Sequence, residues 1–277
     1  MAPKITIAFD LYGTLLSTSS IADDLAKHFG ADKADAIATR WRQYQLEYTW
    51  RLTSMLAPAS DGTSIAPPVH YTPFDKITRA ALIHAVNEAG LHISDAKADE
   101  LMQAYNSLIC FADVLPGLKT LQERSAAGSA EAYIFSNGTP EMLNASVATS
   151  PTLKLFHPEA SGEEARPLFA KLVSTDGAQV YKPHRDAYEH LLREVTAARD
   201  GYKSQASVWV VSANPFDVVG ARAAGLRAVW VDRGGNGWVD RLGEVVNEAR
   251  GGKGDVKPTI VAKGVEDAVE KILKVGV

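Results

Sequence analysis

Four short apolar runs stand out along the chain: ITIAFD (residues 5–10), AYIFSN (132–137), SVWVVSAN (207–214) and RAVWVD (227–232). Each is rich in β-branched or aromatic residues and closes on small or polar ones, the pattern of strands buried on both faces. A helical pattern follows each of the first three, so the order predicts βαβ units and a doubly wound parallel α/β sheet. VEDAVEKILKV, near the end of the chain, predicts a last helix. Between the first and second strands the period changes. IADDLAKHFG, ADAIATRWRQYQLEYTWRLTSML, FDKITRAALIHAVNEAG and DAKADELMQAYNSLI carry apolar residues at helical spacing and show no strand signal. The chain therefore divides into a core domain, residues 1–16 and 112–277, and a helical cap subdomain, 17–111, inserted after the first strand; VLPGLKTLQER leads back into the core. APASDGTSIAPPVHYTP (57–73) reads as a loop inside the cap, residues 149–171, with Pro151, Pro158, Gly162 and Pro167, as a surface insertion, and GGNG and ARGGKGD as turns.

Composition narrows the class. The 277 residues, 46% hydrophobic and 22% charged, can bury a substantial core, which excludes global disorder. Acidic residues number 33 against 29 basic, a net charge of −4, so the broad electrostatic attraction of a nucleic-acid binder is missing. The one cysteine, Cys110, allows neither an internal disulfide nor a thiolate metal cluster. MAPKITIAFD lacks the apolar stretch of a secretory signal, and no run is long enough to span a bilayer, so a cytoplasmic protein without a membrane partner is expected.

Polar residues at the strand ends are the candidates for chemistry, because ligands of open parallel sheets sit beyond the carboxyl ends of the strands. Asp10 ends the first strand, and Gly13 and Thr14 supply a turn and a hydroxyl that could hold its carboxylate as a nucleophile. Ser136 and Asn137 follow the second strand, Lys182 lies in VYKPHRDAY, and Ser212, Asn214 and Asp217 follow the third. Singly, each has a plain structural explanation as a cap, a turn former or a solvated side chain. Their recurrence at successive strand ends does not.

FDLYGT, SNG, YKP and SANPFD, in this order, resemble the four motifs of the haloacid dehalogenase superfamily. That resemblance covers nearly the whole chain and implies a Rossmann-like core with a cap after the first strand. The magnesium-dependent phosphatases of the superfamily are similar in a first motif Asp-x-Asp and paired acids in the fourth, as a hard cation requires. Here Tyr12 replaces the second Asp, and Asp217 is the sole carboxylate of the fourth motif. The sequence looks instead like the L-2-haloacid dehalogenases, which use no metal and no cofactor; a metal-dependent small-molecule phosphatase is the alternative. WRQYQLEYTW resembles the cap helix that carries their halide-binding arginine, which falls on Arg42, with Arg40 and Arg51 as neighbouring candidates.

The resemblance implies hydrolysis of a small 2-haloacid to a 2-hydroxy acid with inversion. Asp10 displaces the halide to form an aspartyl ester, which water then hydrolyses. Arg42 and Asn137 would bind the halide and Ser136 the substrate carboxylate. Lys182 would keep Asp10 ionised with support from Tyr188, while Thr14, Ser212, Asn214 and Asp217 orient the nucleophile and the water, Asp217 being the candidate base. Tyr12, Leu46 and Phe74 would form the apolar wall, with Phe216, where relatives often carry tryptophan, altering its size. A homodimer formed through the cap also fits the resemblance. A non-catalytic scaffold fits poorly, because a buried charged cluster costs stability without serving it.

Overall fold

The computed structural model describes residues 5–56, 69–126, 130–197, 207–252 and 255–275. Six strands, β1 (Ile5–Phe9), β2 (Ala130–Ser136), β3 (Phe169–Ser174), β4 (Val208–Ser212), β5 (Arg227–Val231) and β6 (Ile260–Ala262), form one sheet in the order β3-β2-β1-β4-β5-β6. Every pairing is parallel. Between β1 and β4 the direction of winding reverses, and a crevice opens there at the carboxyl ends.

The alternation of side chains along the strands explains the two layers. Ile5, Ile7, Phe9, Trp209 and Val211 join one buried cluster, whereas Ala8, Val208 and Val210 join another on the opposite face. The first face is covered by α5 (Val114–Ala126), α6 (Pro140–Thr149) and α10 (Val265–Val275), the second by α7 (Arg185–Ala197) and α8 (Pro215–Ala223). Among the described residues, four α-helices lie between β1 and α5: α1 (Ala22–Phe29), α2 (Ala31–Met55), α3 (Phe74–Glu88) and α4 (Asp95–Tyr105). Their apolar faces meet one another and continue into the first cluster through Leu11, Trp41, Phe74, Leu82 and Leu101. The outgoing and returning chains run side by side, Ser17 N–H donating to Ile109 O at 2.8 Å and Phe111 N–H to Leu15 O at 3.1 Å. The last connection contains α9 (Leu242–Ala249).

Two strands escaped the sequence pattern. β3 and β6 are edge strands, and an edge strand needs only one neighbour and a partial apolar face. β3 includes Lys171 and follows Pro167, while β6 is three residues long. The reading of residues 149–171 as a surface insertion is corrected: Leu153, Phe156 and Phe169 are buried, and the Phe169 ring lies edge-on to Phe9 at 6.4 Å. The longest exposed run, residues 161–164, lies in the connection between Phe156 and Phe169. Most of the proline-rich loop, residues 57–68, lies outside the described residues.

Candidate active site

Asp10 immediately follows β1, where its backbone N–H still donates to Val211 O of β4 at 3.0 Å. The chain then turns back. Gly13 takes a left-handed φ of 86°, which L side chains rarely adopt, and the N–H groups of Thr14, Leu15 and Leu16 converge on Leu11 O. This turn aims Thr14 Oγ1 at Asp10 Oδ2, 2.7 Å away. Ser212, the last residue of β4, and Asn214, just beyond it, reach the same oxygen at 3.2 and 2.6 Å. One carboxylate oxygen thus accepts three hydrogen bonds, whereas Oδ1 has, among the described residues, a single partner, Lys182 Nζ at 3.3 Å.

Lys182 is 1% exposed and bonds three acceptors: Asp10, Phe135 O at 2.7 Å and Asp217 Oδ2 at 2.8 Å. The ammonium also lies 4.0 Å from the centroid of the Phe135 ring. Asp217, fully buried in the first turn of α8, accepts the Tyr188 hydroxyl on Oδ1 at 2.9 Å. Burial pushes the Asp217 carboxyl above the ordinary range, Lys182 pulls it down, and the charge of Asp10 raises it further. Burial likewise lifts the Tyr188 phenol well above its usual value, so it stays a neutral donor.

A small, tight pocket lies in front of this cluster, lined by Asp10, Tyr12, Arg42, Leu46, Phe74, Ser136, Asn137, Lys182 and Phe216. All nine are residues the sequence reading selected. Behind them, Thr14, Ser212 and Asn214 are bonded to Asp10, Asp217 to Lys182, and Tyr188 to Asp217. Asn137 Oδ1 accepts from Lys182 N–H at 3.0 Å and the Thr175 hydroxyl at 3.3 Å, which leaves its amide protons as the groups it can offer a ligand. Ser136 Oγ accepts from Gly138 N–H at 3.2 Å. The Tyr12 phenol, raised by burial, faces Ser146 at 3.2 Å, and its ring stacks on Phe74 at 6.0 Å.

The three arginines of α2 separate by position. Arg42 Nη2 donates to Tyr12 O at 3.2 Å and Asn214 Oδ1 at 3.4 Å, tying the helical insertion to the core at the pocket. Arg40 pairs with Glu88 and Arg51 with Glu47, both on the exposed surface. Sequence reasoning missed Gln45, Thr78 and Tyr105, which are buried and bonded to one another beside Arg42. A signal was available: Trp41, Gln45 and Thr49 fall on one stripe at helical spacing, two polar residues on an otherwise apolar face. Among the described residues, no three His, Cys, Asp or Glu side chains cluster as metal ligands would.

An all-parallel α/β core that presents a buried carboxylate at its switch point, beneath a helical insertion, defines an enzyme built around a strand-end aspartate. The sequence profile of the haloacid dehalogenase-like hydrolases matches residues 6–225, and the chain belongs to that family. It is 33% identical over 238 residues to haloacetate dehalogenase H-2 of Moraxella sp. (strain B), covering 86% of this chain and 89% of that protein. It is 32% identical over 230 residues to the (S)-2-haloacid dehalogenase of Pseudomonas sp. (strain YL), covering 83% of each. The structure of L-2-haloacid dehalogenase from Xanthobacter autotrophicus with chloropropionic acid covalently bound superimposes with a TM-score of 0.70 at 27% identity, covering 97% of this chain and 98% of that one. No described helix is long and apolar enough to cross a membrane.

Proposed function

We propose that the protein hydrolyses small L-2-haloalkanoic acids to 2-hydroxy acids with inversion, through an ester on Asp10 and without a metal. The uneven solvation of the Asp10 carboxylate carries this reading. Oδ2 is engaged by Thr14, Ser212 and Asn214, so Oδ1, with Lys182 alone, keeps a lone pair for attack. That lone pair displaces the halide at C2, and the carbon–halogen bond breaks with its electron pair leaving on the halide. The halide needs anion stabilisation and no proton, a task suited to the Arg42 guanidinium and the Asn137 amide. Ser136 anchors the substrate carboxylate; Leu46, Phe74, Tyr12 and Phe216 enclose its carbon chain.

Water then attacks Cγ of Asp10 and passes a proton toward Asp217, whose burial makes it a stronger base than an ordinary carboxylate. The tetrahedral carbon collapses, one water proton ends on the product hydroxyl, the other leaves to solvent, and the incoming oxygen stays in Asp10. The donor set supports independence from metal: Lys182 supplies the positive charge between Asp10 and Asp217, where a hard cation would ask for several more oxygens. The test is chloride release from L-2-chloropropionate in EDTA, together with single turnover in oxygen-18 water. Label in Asp10 is expected. Label in the product alone, or magnesium-dependent phosphate release from p-nitrophenyl phosphate without chloride release, would overturn the reading.

A further inference from the structure

An arginine side chain samples many rotamers unless something holds it. Arg42 is gripped from the core by Tyr12 O and Asn214, and from its own helix by Gln45, whose Oε1 accepts from Arg42 Nη1 at 2.6 Å. Gln45 is fully buried on the stripe of α2 that packs mostly apolar side chains. A buried amide is costly unless every bond is made, so leucine would serve packing better here. Three bonds meet it: beside that from Arg42, Oε1 also accepts the Tyr105 hydroxyl of α4 at 3.2 Å, and Nε2 donates to Thr78 Oγ1 of α3 at 2.8 Å.

Thr78 sets the polarity. Its own proton goes to Phe74 O at 2.7 Å, so its oxygen can only accept from Gln45. The amide must therefore turn its nitrogen to Thr78 and its oxygen to Arg42; the flipped amide would set donor against donor. Trp41 Nε1 donates to Thr78 O at 2.8 Å, which ties the turn of α3 carrying Thr78 back to α2.

We propose that Gln45, oriented by Thr78, is the positioning residue that holds Arg42 against the pocket to receive the leaving halide. This rests on the halide role given to Arg42 above. Two readouts test it: chloride binding to the free enzyme by chlorine-35 line broadening, and steady-state haloacid turnover. Thr78→Val keeps the shape and removes the hydroxyl; Thr78→Ser keeps the hydroxyl and removes a methyl. A positioning role predicts that Thr78→Val and Gln45→Leu lose at least about tenfold in chloride affinity and in kcat/KM, with Thr78→Ser within about twofold of the parent. Equal loss in both Thr78 variants would mean packing and overturn the proposal, as would parental chloride binding in Gln45→Leu. Should Gln45→Leu not fold, by circular dichroism, the Thr78 pair decides alone. If Arg42→Ala kept chloride binding, the roles of both residues would fall together. A parent that binds chloride but turns over no haloacid would sink the proposed reaction and leave the Gln45 readout standing.

Discussion

Lys182 is the residue on which the site's electrostatics turn. It is the cation between two buried carboxylates, and each of its bonds replaces one that water would make in the unfolded chain. Removing one partner from a buried ion pair leaves uncompensated charge, which costs about 3–5 kcal/mol. Lys182→Met is expected to lose stability of that order and to lose turnover. The loss depends on pH in a definite direction. Burial raises the Asp217 carboxyl and Lys182 opposes that rise, so without the ammonium it titrates further above its unfolded value; this favours folding at low pH, and the benefit is lost as pH rises. Urea unfolding at about pH 5 and about pH 8 should show the larger deficit at the higher pH. Little of this was legible locally, since a lysine before a proline reads as a surface residue; the order of the motifs singled it out. Gln45 was missed because burial of a polar side chain is decided by helices distant in sequence.

Close approach of α7 to α8 depends on Gly220. A Cβ there would collide with the Tyr188 hydroxyl and would lie 2.7 Å from Pro183 Cβ. Alanine gains about 1 kcal/mol in helix propensity, but forcing atoms into a packed contact costs about 1–3 kcal/mol. Gly220→Ala is therefore expected to be net destabilising in thermal melts. Because Tyr188 would be pushed from Asp217, kcat should also fall, by about tenfold for each 1.4 kcal/mol of lost transition-state stabilisation. Elsewhere Asp113, just before α5, accepts the first N–H of α10, Val265, at 2.6 Å and pairs with Arg233 at 2.9 Å. Burial works against its charge, yet Arg233 and the Val265 N–H hold the carboxyl below its ordinary value. Its stabilisation is thus present above the unfolded pKa and fades as pH falls through the lower folded one. Asp113→Asn should cost about 1–3 kcal/mol at neutral pH and progressively less in acid, measured by denaturant unfolding across pH. The central strands were legible because burial on both faces makes them continuously apolar; β3 and β6, at the edges, lack that imprint.

Across the whole molecule, the helical insertion and one face of the sheet share a continuous apolar cluster that runs from Ile7 and Phe9 through Leu11 and Leu15 to Trp41 and Phe74. Two regions that share a core lose it together. Far-UV circular dichroism and tryptophan fluorescence should follow superimposable urea curves; curves that separate would show one region opening before the other. The helices that follow β1 were readable because the apolar pattern changes from a continuous run to helical spacing after Asp10. Their joint to the core was not, since Arg42, Tyr12 and Asn214 lie far apart in the chain. The lone ammonium between two acids also has a consequence for timing. In the proposed cycle, alkylation silences Asp10, so Asp217, Lys182 and Arg42 together become net cationic for as long as the halide must be held. Hydrolysis restores the carboxylate beside two product anions, and the pocket gives up its net positive charge at the moment the chemistry ends. Release of the anions is then timed by the covalent step itself, in a protein whose overall charge of −4 already favours their exit.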